Sequence, residues 1–294
     1  MWLWKEVPMT TKSIRLNSLI FLLAAMLASA TGALAQINEA PFILGVLPNV
    51  SARVIFANYQ PAHSYFEREL KRKVEIATAP DFCLFHEATL RGDYHMVVTA
   101  ANLGRVAQLD GKWEPVAIYE PAIPALLVTD AGNSSAAVEQ LRGKTLAVAN
   151  PQSLVVLRGL QWLREQGLQE GRDFKMARAS NDDSLGAMIR SGEAPMAMMS
   201  MGEFRQIAEE VRKSLKIATE IAKVPGFLVI VNPKLDSAEK RRLQAQVLRL
   251  PQDADGKKFF SLSGVNNIRE VSRGELESLD PFVAPTRAGL AAAK

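Results

Sequence analysis

Cys83 is the single cysteine of this 294-residue chain, two residues after Asp81 and three before His86. A thiolate binds soft metals and metalloids, and a thiol at a helix start loses its proton more readily than a free one. The spacing C-x-x-H puts both side chains on one helix face, which offers two ligands at most. In an oxidising compartment a lone thiol forms no internal disulfide, so Cys83 is either a buried, inert residue or a contact to a thiophilic ligand. A second candidate is the turn Asn150-Pro151-Gln152-Ser153, between an apolar run at 145–149 and leucines at 154, 157, 160 and 163. Strand, polar turn and helix place free backbone N–H groups and the positive end of a helix dipole at the carboxyl edge of a sheet, where an anion is readily held. The same turn is also what any strand-to-helix connection with Ser153 as N-cap requires. Met196, Met198, Met199 and Met201 would suit Cu(I), but alternation sends the first two one way and the last two the other. That is the pattern of a strand buried on both faces. His63, His86 and His95 have no triad or metal-cage spacing, and there is no G-x-S-x-G, no H-E-x-x-H and no phosphate-binding glycine loop. An enzyme is not expected.

The elements that must position these residues alternate along the chain. Apolar runs at 42–47, 74–79, 95–100 and 113–119 read as strands, with helices at 54–73, from 81 to 92 and after Asn102 as N-cap. A second set follows. It has strands at 125–129, 145–149, 174–179 and 194–201, and helices at 134–141, 154–167, 182–191 and 202–213. Strands at 215–222 and 226–231, a helix at 237–250 and a terminal helix or coil from 275 complete the reading. The basic cluster Lys240-Arg241-Arg242 reads as the solvated face of that helix. Proline-containing connections near 121–124 and 224–226 suggest two crossings between two α/β lobes, with a ligand cleft at strand ends from both.

The first 35 residues have the form of a cleavable signal peptide. Lys12 and Arg15 precede the apolar run 19–27, and Ala33-Leu34-Ala35 gives a small-x-small site before Gln36. Gln36 stands where a lipoprotein needs cysteine, so a freely soluble exported protein is expected. Loss of Lys5, Glu6, Lys12 and Arg15 lowers the formal charge from +4 to about +2, and no nucleic-acid partner is indicated. At 48% hydrophobic and 22% charged the chain is globular and long enough for two domains.

Five segments, in order, carry a family resemblance. They are Ile43-Leu44-Gly45-Val46-Leu47-Pro48, Ala79-Pro80-Asp81-Phe82, Arg91-Gly92-Asp93-Tyr94-His95-Met96-Val97, Leu141-Arg142-Gly143-Lys144-Thr145-Leu146-Ala147 and Val231-Asn232-Pro233-Lys234-Leu235. Together, over about residues 42–282, the chain resembles the periplasmic phosphate-, phosphite- and phosphonate-binding proteins of ABC transporters. The resemblance implies a two-lobe α/β venus-flytrap fold, no cofactor, no catalysis, and an oxyanion held by hydroxyls and helix N-termini. It also implies a hydroxyl- and glycine-rich run at the turn described above, where this chain has Gln152-Ser153-Leu154-Val155-Val156. One hydroxyl remains, and each missing charge-assisted donor is worth about 1.5–3 kcal/mol. Some exported relatives of the family look like arsenite sensors that signal to a membrane histidine kinase, and a cleft cysteine would suit such a ligand.

The expectations are therefore these. Lobe one comprises residues 37–123 and 225–294, and lobe two residues 124–224. Pro48, Asn49, Asp81, Phe82, Cys83, Thr99, Ala100, Asn102, Tyr119, Asn150, Gln152, Ser153 and Asn181 lie at strand ends or helix starts and are expected to line the cleft. Cys83 is the expected contact to a metalloid such as arsenite. The protein is expected to be a monomer that presents a small oxyanion or metalloid to a membrane sensor kinase. The alternative partner is the permease of an ABC importer for phosphonate, phosphite or another small anion.

Overall fold

The computed structural model describes residues 40–134, 137–180 and 182–293; the expected signal peptide and Asn181 lie outside the described residues. Six strands form one sheet: β1 (Phe42–Val46), β2 (Val74–Ala77), β3 (Met96–Thr99), β4 (Glu114–Glu120), β10 (Leu228–Val231) and β11 (Asn267–Arg269). Their order is β11-β4-β10-β3-β1-β2, with β2, β1 and β3 parallel and β10 antiparallel to both its neighbours. The second sheet holds β5 (Ile123–Asp130), β6 (Thr145–Val148), β7 (Lys175–Arg178), β8 (Met196–Ser200) and β9 (Leu215–Val224), in the order β7-β6-β8-β5-β9. Here β7, β6 and β8 are parallel, and β5 runs antiparallel to β8 and β9. The fold class expected from the sequence, two mixed α/β lobes, is the one that forms. The chain passes from the first sheet to the second through residues 121–122 and returns through 225–227.

Helices close the parallel connections, and short-range chemistry sets where they begin. These are α1 (Ala52–Leu70), α2 (Phe82–Arg91), α3 (Ala101–Gly111), α4 (Leu154–Glu165) and α5 (Asp182–Arg190). Asp81 caps α2 by accepting from Leu84 N at 2.9 Å, and Ser153 caps α4 by accepting from Val156 N at 3.2 Å. The helix expected at 202–213 is instead two, α6 (Met201–Gln206) and α7 (Glu209–Arg212). Ile207 leaves helical geometry and its side chain is buried, while Arg212 Nη1 donates to the Arg205 and Ile207 carbonyls that the break frees. The expected helix at 134–141 is a single 3-10 turn, Val138–Leu141. The chain ends with α8 (Ser237–Arg249), α9 (Ala254–Ser263), α10 (Arg273–Glu277) and α11 (Asp280–Ala292).

Alternation along the strands sorts the core into layers. Met196 and Met198 of β8 enter one apolar cluster, while Ala197 and Met199 enter another under α5 and α6. In the first sheet Val97 and Ile230 face the cluster shared with α2 and α3, whereas Met96, Val98 and Val229 face α1, α8 and α9. The cluster containing Val97 continues through Leu127, Leu146 and Met198 of the second sheet, so one apolar layer runs through both lobes. Helix α11 packs on α3 of the first lobe and on α4 of the second.

Candidate functional site

Two cavities lie at the carboxyl ends of parallel strands from both sheets, where an open α/β fold leaves its ligand crevice. The outer one has a volume of about 610 Å³. Its walls include Pro48, Asn49 and the start of α1 from the first lobe, and Asn150, Arg178 and Ser180 from the second. Arg53 stands in the first turn of α1 and Arg178 ends β7, so each lobe sets one exposed guanidinium at the rim. Among the described residues no carboxylate lines this cavity.

The inner chamber is smaller, about 40 Å³, room for two or three waters. The first residues of three helices reach it: Phe82 of α2, Ala101 of α3 after its N-cap Ala100, and Leu154 and Val155 of α4 after Ser153. First-turn N–H groups have no intrahelical acceptor and carry the positive end of the dipole. Three such ends from two lobes make the chamber favourable to negative charge. Ser153 Oγ accepts from its own helix, which leaves its hydroxyl proton to donate into the chamber. Ile123, Val224, Pro225 and Phe227, at or beside the two crossings, add apolar lining. Glu203 is also in the lining. Its carboxylate Oε2 accepts from Ser200 N at 2.6 Å and completes a capping box, and the Asn150 side chain bonds to it as well. Burial pushes this carboxyl above the usual range, against the lowering by the Ser200 and Asn150 hydrogen bonds.

Of the residues expected at the cleft, Pro48 and Asn150 line the outer cavity, Asn49 lines both, and Phe82, Ala100 and Ser153 line the inner chamber. Six others line neither cavity. Asp81 serves as the α2 cap, and Thr99 is buried at the end of β3. Asn102, at the second helical position of α3 and not its N-cap, is fully buried and donates to the Gln152 carbonyl at 3.0 Å and to Thr286 Oγ1 at 2.9 Å. Gln152 Nε2 in turn donates to the Gly289 carbonyl, so both residues tie α11 to the two lobes. Tyr119 packs edge-on to Phe259 in the cluster beneath α9, and burial pushes its phenol well up. Cys83 lines a separate pocket between α2, α3 and α11, with Sγ donating to the Leu290 carbonyl at 3.5 Å. Among the described residues no group of three or more His, Cys, Asp or Glu side chains is placed to hold a metal ion.

Sequence reasoning missed Arg53, Arg178, Ser200 and Glu203. The signal for three of them was present: Arg178 sits at the carboxyl end of an expected strand, and Ser200-x-x-Glu203 has capping-box spacing.

The family model described as "ABC transporter, phosphonate, periplasmic substrate-binding protein" matches residues 44–276. The chain belongs to this family. As a periplasmic substrate-binding protein it is a carrier and not an enzyme. Solved structures share the binding protein's fold at low sequence identity. XAC2383 from Xanthomonas citri, bound to chloride ion, is 18% identical with a TM-score of 0.71, over 85% of this chain and 99% of that one. PhnD1 from Prochlorococcus marinus, in complex with methylphosphonate, is 12% identical with a TM-score of 0.73, over 84% and 98%. A binding protein component of an ABC phosphonate transporter from Pseudomonas aeruginosa is 13% identical with a TM-score of 0.73, over 85% and 89%. No curated protein matches the chain.

Proposed function

We propose that this binding protein captures a small phosphonate- or phosphate-type anion between its lobes and delivers it to the permease of an ABC importer. The observation that carries the reading is the charge arrangement of the cleft. One arginine from each lobe marks the rim of a cavity that no carboxylate lines among the described residues, and helix N-termini from both lobes converge on the chamber behind it. An anion held there touches both lobes and so favours their approach. The relatives in complex with chloride and with methylphosphonate support the same ligand class. Delivery to a permease accords with the family description better than presentation to a sensor kinase does. Cys83 lines neither cavity, so the thiol that would favour arsenite is not among the lining residues. The reading further takes residues 1–35 as a cleaved leader, 37–123 with 225–294 and 124–224 as the two lobes, and the mature protein as a soluble monomer.

The test is a thermal-shift and calorimetric panel of phosphate, phosphite, methylphosphonate, sulfate, arsenate and arsenite. A ligand at a hundredfold excess over its Kd stabilises the folded protein by about 2.7 kcal/mol, which such a scan resolves. Arg53→Gln and Arg178→Gln are each expected to weaken the bound anion about tenfold at low salt, and less at high salt. If arsenite alone shifts the protein, or if both variants bind as the parent does, the proposal is wrong.

A further inference from the structure

Leu154, Val224 and Pro225 line the inner chamber and also a separate cavity of about 340 Å³, so the start of α4 and the return crossing form a wall common to both. Arg158 and Gln161 of α4, Lys223 of β9 and the link from α10 to α11 enclose the rest of it. Among the described residues no carboxylate lines this cavity. The Arg158 guanidinium makes no hydrogen bond to a described residue, although its Nη1 is buried. Glu165 Oε1 stands 3.6 Å from that nitrogen on a half-exposed side chain, which makes a weak pair. The side chains of Gln161 and Lys223 likewise bond to no described residue. Ser278 is committed elsewhere, donating to the Glu275 carbonyl at 2.6 Å. Pro281 and Phe282 stand in the first turn of α11, so the positive end of its dipole adjoins the cavity, while Asp280 is bonded to Arg105 at 2.8 Å. The remaining lining is apolar, with Leu279 in the core cluster and Phe282 packed against it.

A buried nitrogen with no hydrogen-bond partner is costly, and two cations beside a cavity that no carboxylate lines attract an anion. A carboxylate answers both, since it accepts two coplanar N–H bonds from a guanidinium and offsets its charge. An apolar body attached to it would cover the carbon surface of Leu279, Pro281 and Phe282. Pockets for organic ligands begin at about 300 Å³, so the volume suits such a molecule. We propose that this hinge-side cavity binds a small organic acid, a carboxylate on an apolar body, as an effector of the cleft. The site itself goes beyond the anion reading above, and its effect on the cleft rests on that reading. The occupant touches α4 and β9 on one side and the α10–α11 link on the other, so it favours the lobe arrangement in which three helix starts meet at the chamber. A bound oxyanion favours the same arrangement, so each ligand tightens the other by the same factor.

The experiment is calorimetry at low salt with naphthoate as the probe and naphthamide as its uncharged control. The parent is expected to bind naphthoate with a Kd below about 1 mM, and the amide at least about tenfold more weakly. Arg158→Gln is expected to weaken naphthoate about tenfold, and Lys223→Gln about threefold because that ammonium is exposed. Arg53→Gln, at the outer cavity, is expected to leave naphthoate affinity unchanged, which separates the two sites. Saturating naphthoate is expected to lower the Kd for methylphosphonate about fivefold in the parent and to have no such effect in Arg158→Gln. No saturable naphthoate binding, equal binding of the amide, or a loss in Arg53→Gln rather than in Arg158→Gln overturns the site and leaves the anion reading standing. A methylphosphonate Kd that naphthoate leaves unchanged or raises overturns the effector role. A parent that binds naphthoate but no oxyanion overturns the anion reading and the effector role together, while the site stands. The comparison of acid with amide on the parent decides the site even where a variant fails to fold.

Discussion

Cys83 shows how strongly position within a helix turn governs the use of a side chain. Asp81, Phe82 and Cys83 are consecutive, yet one caps α2, the next enters the inner chamber, and the third turns toward α11. A helix advances about 100° per residue, so neighbours along the chain cannot share a face. The thiol is 7% exposed, and a hydroxyl can replace it as donor to the Leu290 carbonyl. Cys83→Ser is therefore expected to keep anion affinity within about twofold and stability within about 1 kcal/mol. Titration calorimetry and a thermal melt check both. Selective loss of arsenite binding in the Ser variant would restore the thiol as a ligand contact.

At the scale of elements, the return crossing is the tightest piece of the site. Tyr119 N donates to the Phe227 carbonyl at 2.8 Å, which brings the end of β4 against the segment that follows β9. A Cβ on Gly226 would collide with the Tyr119 carbonyl oxygen, a backbone atom that no side-chain rotation can move. Gly226→Ala is expected to destabilise the protein by about 1–3 kcal/mol, seen as a lower midpoint in urea, and to perturb the chamber wall beside it. An unchanged midpoint would mean that this crossing yields easily. Strand β8 is a contrasting case, since its two-sided burial of methionines followed from alternation alone.

For the whole molecule, α11 joins lobes that the sheets keep apart. Thr286 is fully buried and accepts from Asn102 of the first lobe, while Gly289 accepts from Gln152 of the second. Val283 and Leu290 bury apolar surface along the same helix. Removal of residues 280–294 is expected to lower the melting temperature and to expose Cys83. Maleimide labelling of the thiol should then accelerate by at least about tenfold over the intact protein. Labelling at the parent rate would show that α3 and the core bury the thiol without help from α11.

The sequence by itself determined the two sets of strands and helices, the capped start of α4, and the family to which the chain belongs. Each depends on short-range order: apolar periodicity, capping side chains, and segments whose sequence is matched in line. It also placed Asn49, Phe82, Ala100 and Ser153 near the chamber, because carboxyl edges of strands are legible from the pattern of runs and turns. Tertiary structure alone decided how the remaining side chains are used. Asn102 and Gln152 were expected at the ligand and are bonded to α11 instead. Arg53, Arg178 and Glu203 come from three segments far apart in the chain and meet the site only because two sheets set their strand ends together. Helix phase and the docking of a terminal helix depend on packing between distant residues, and no local pattern encodes them.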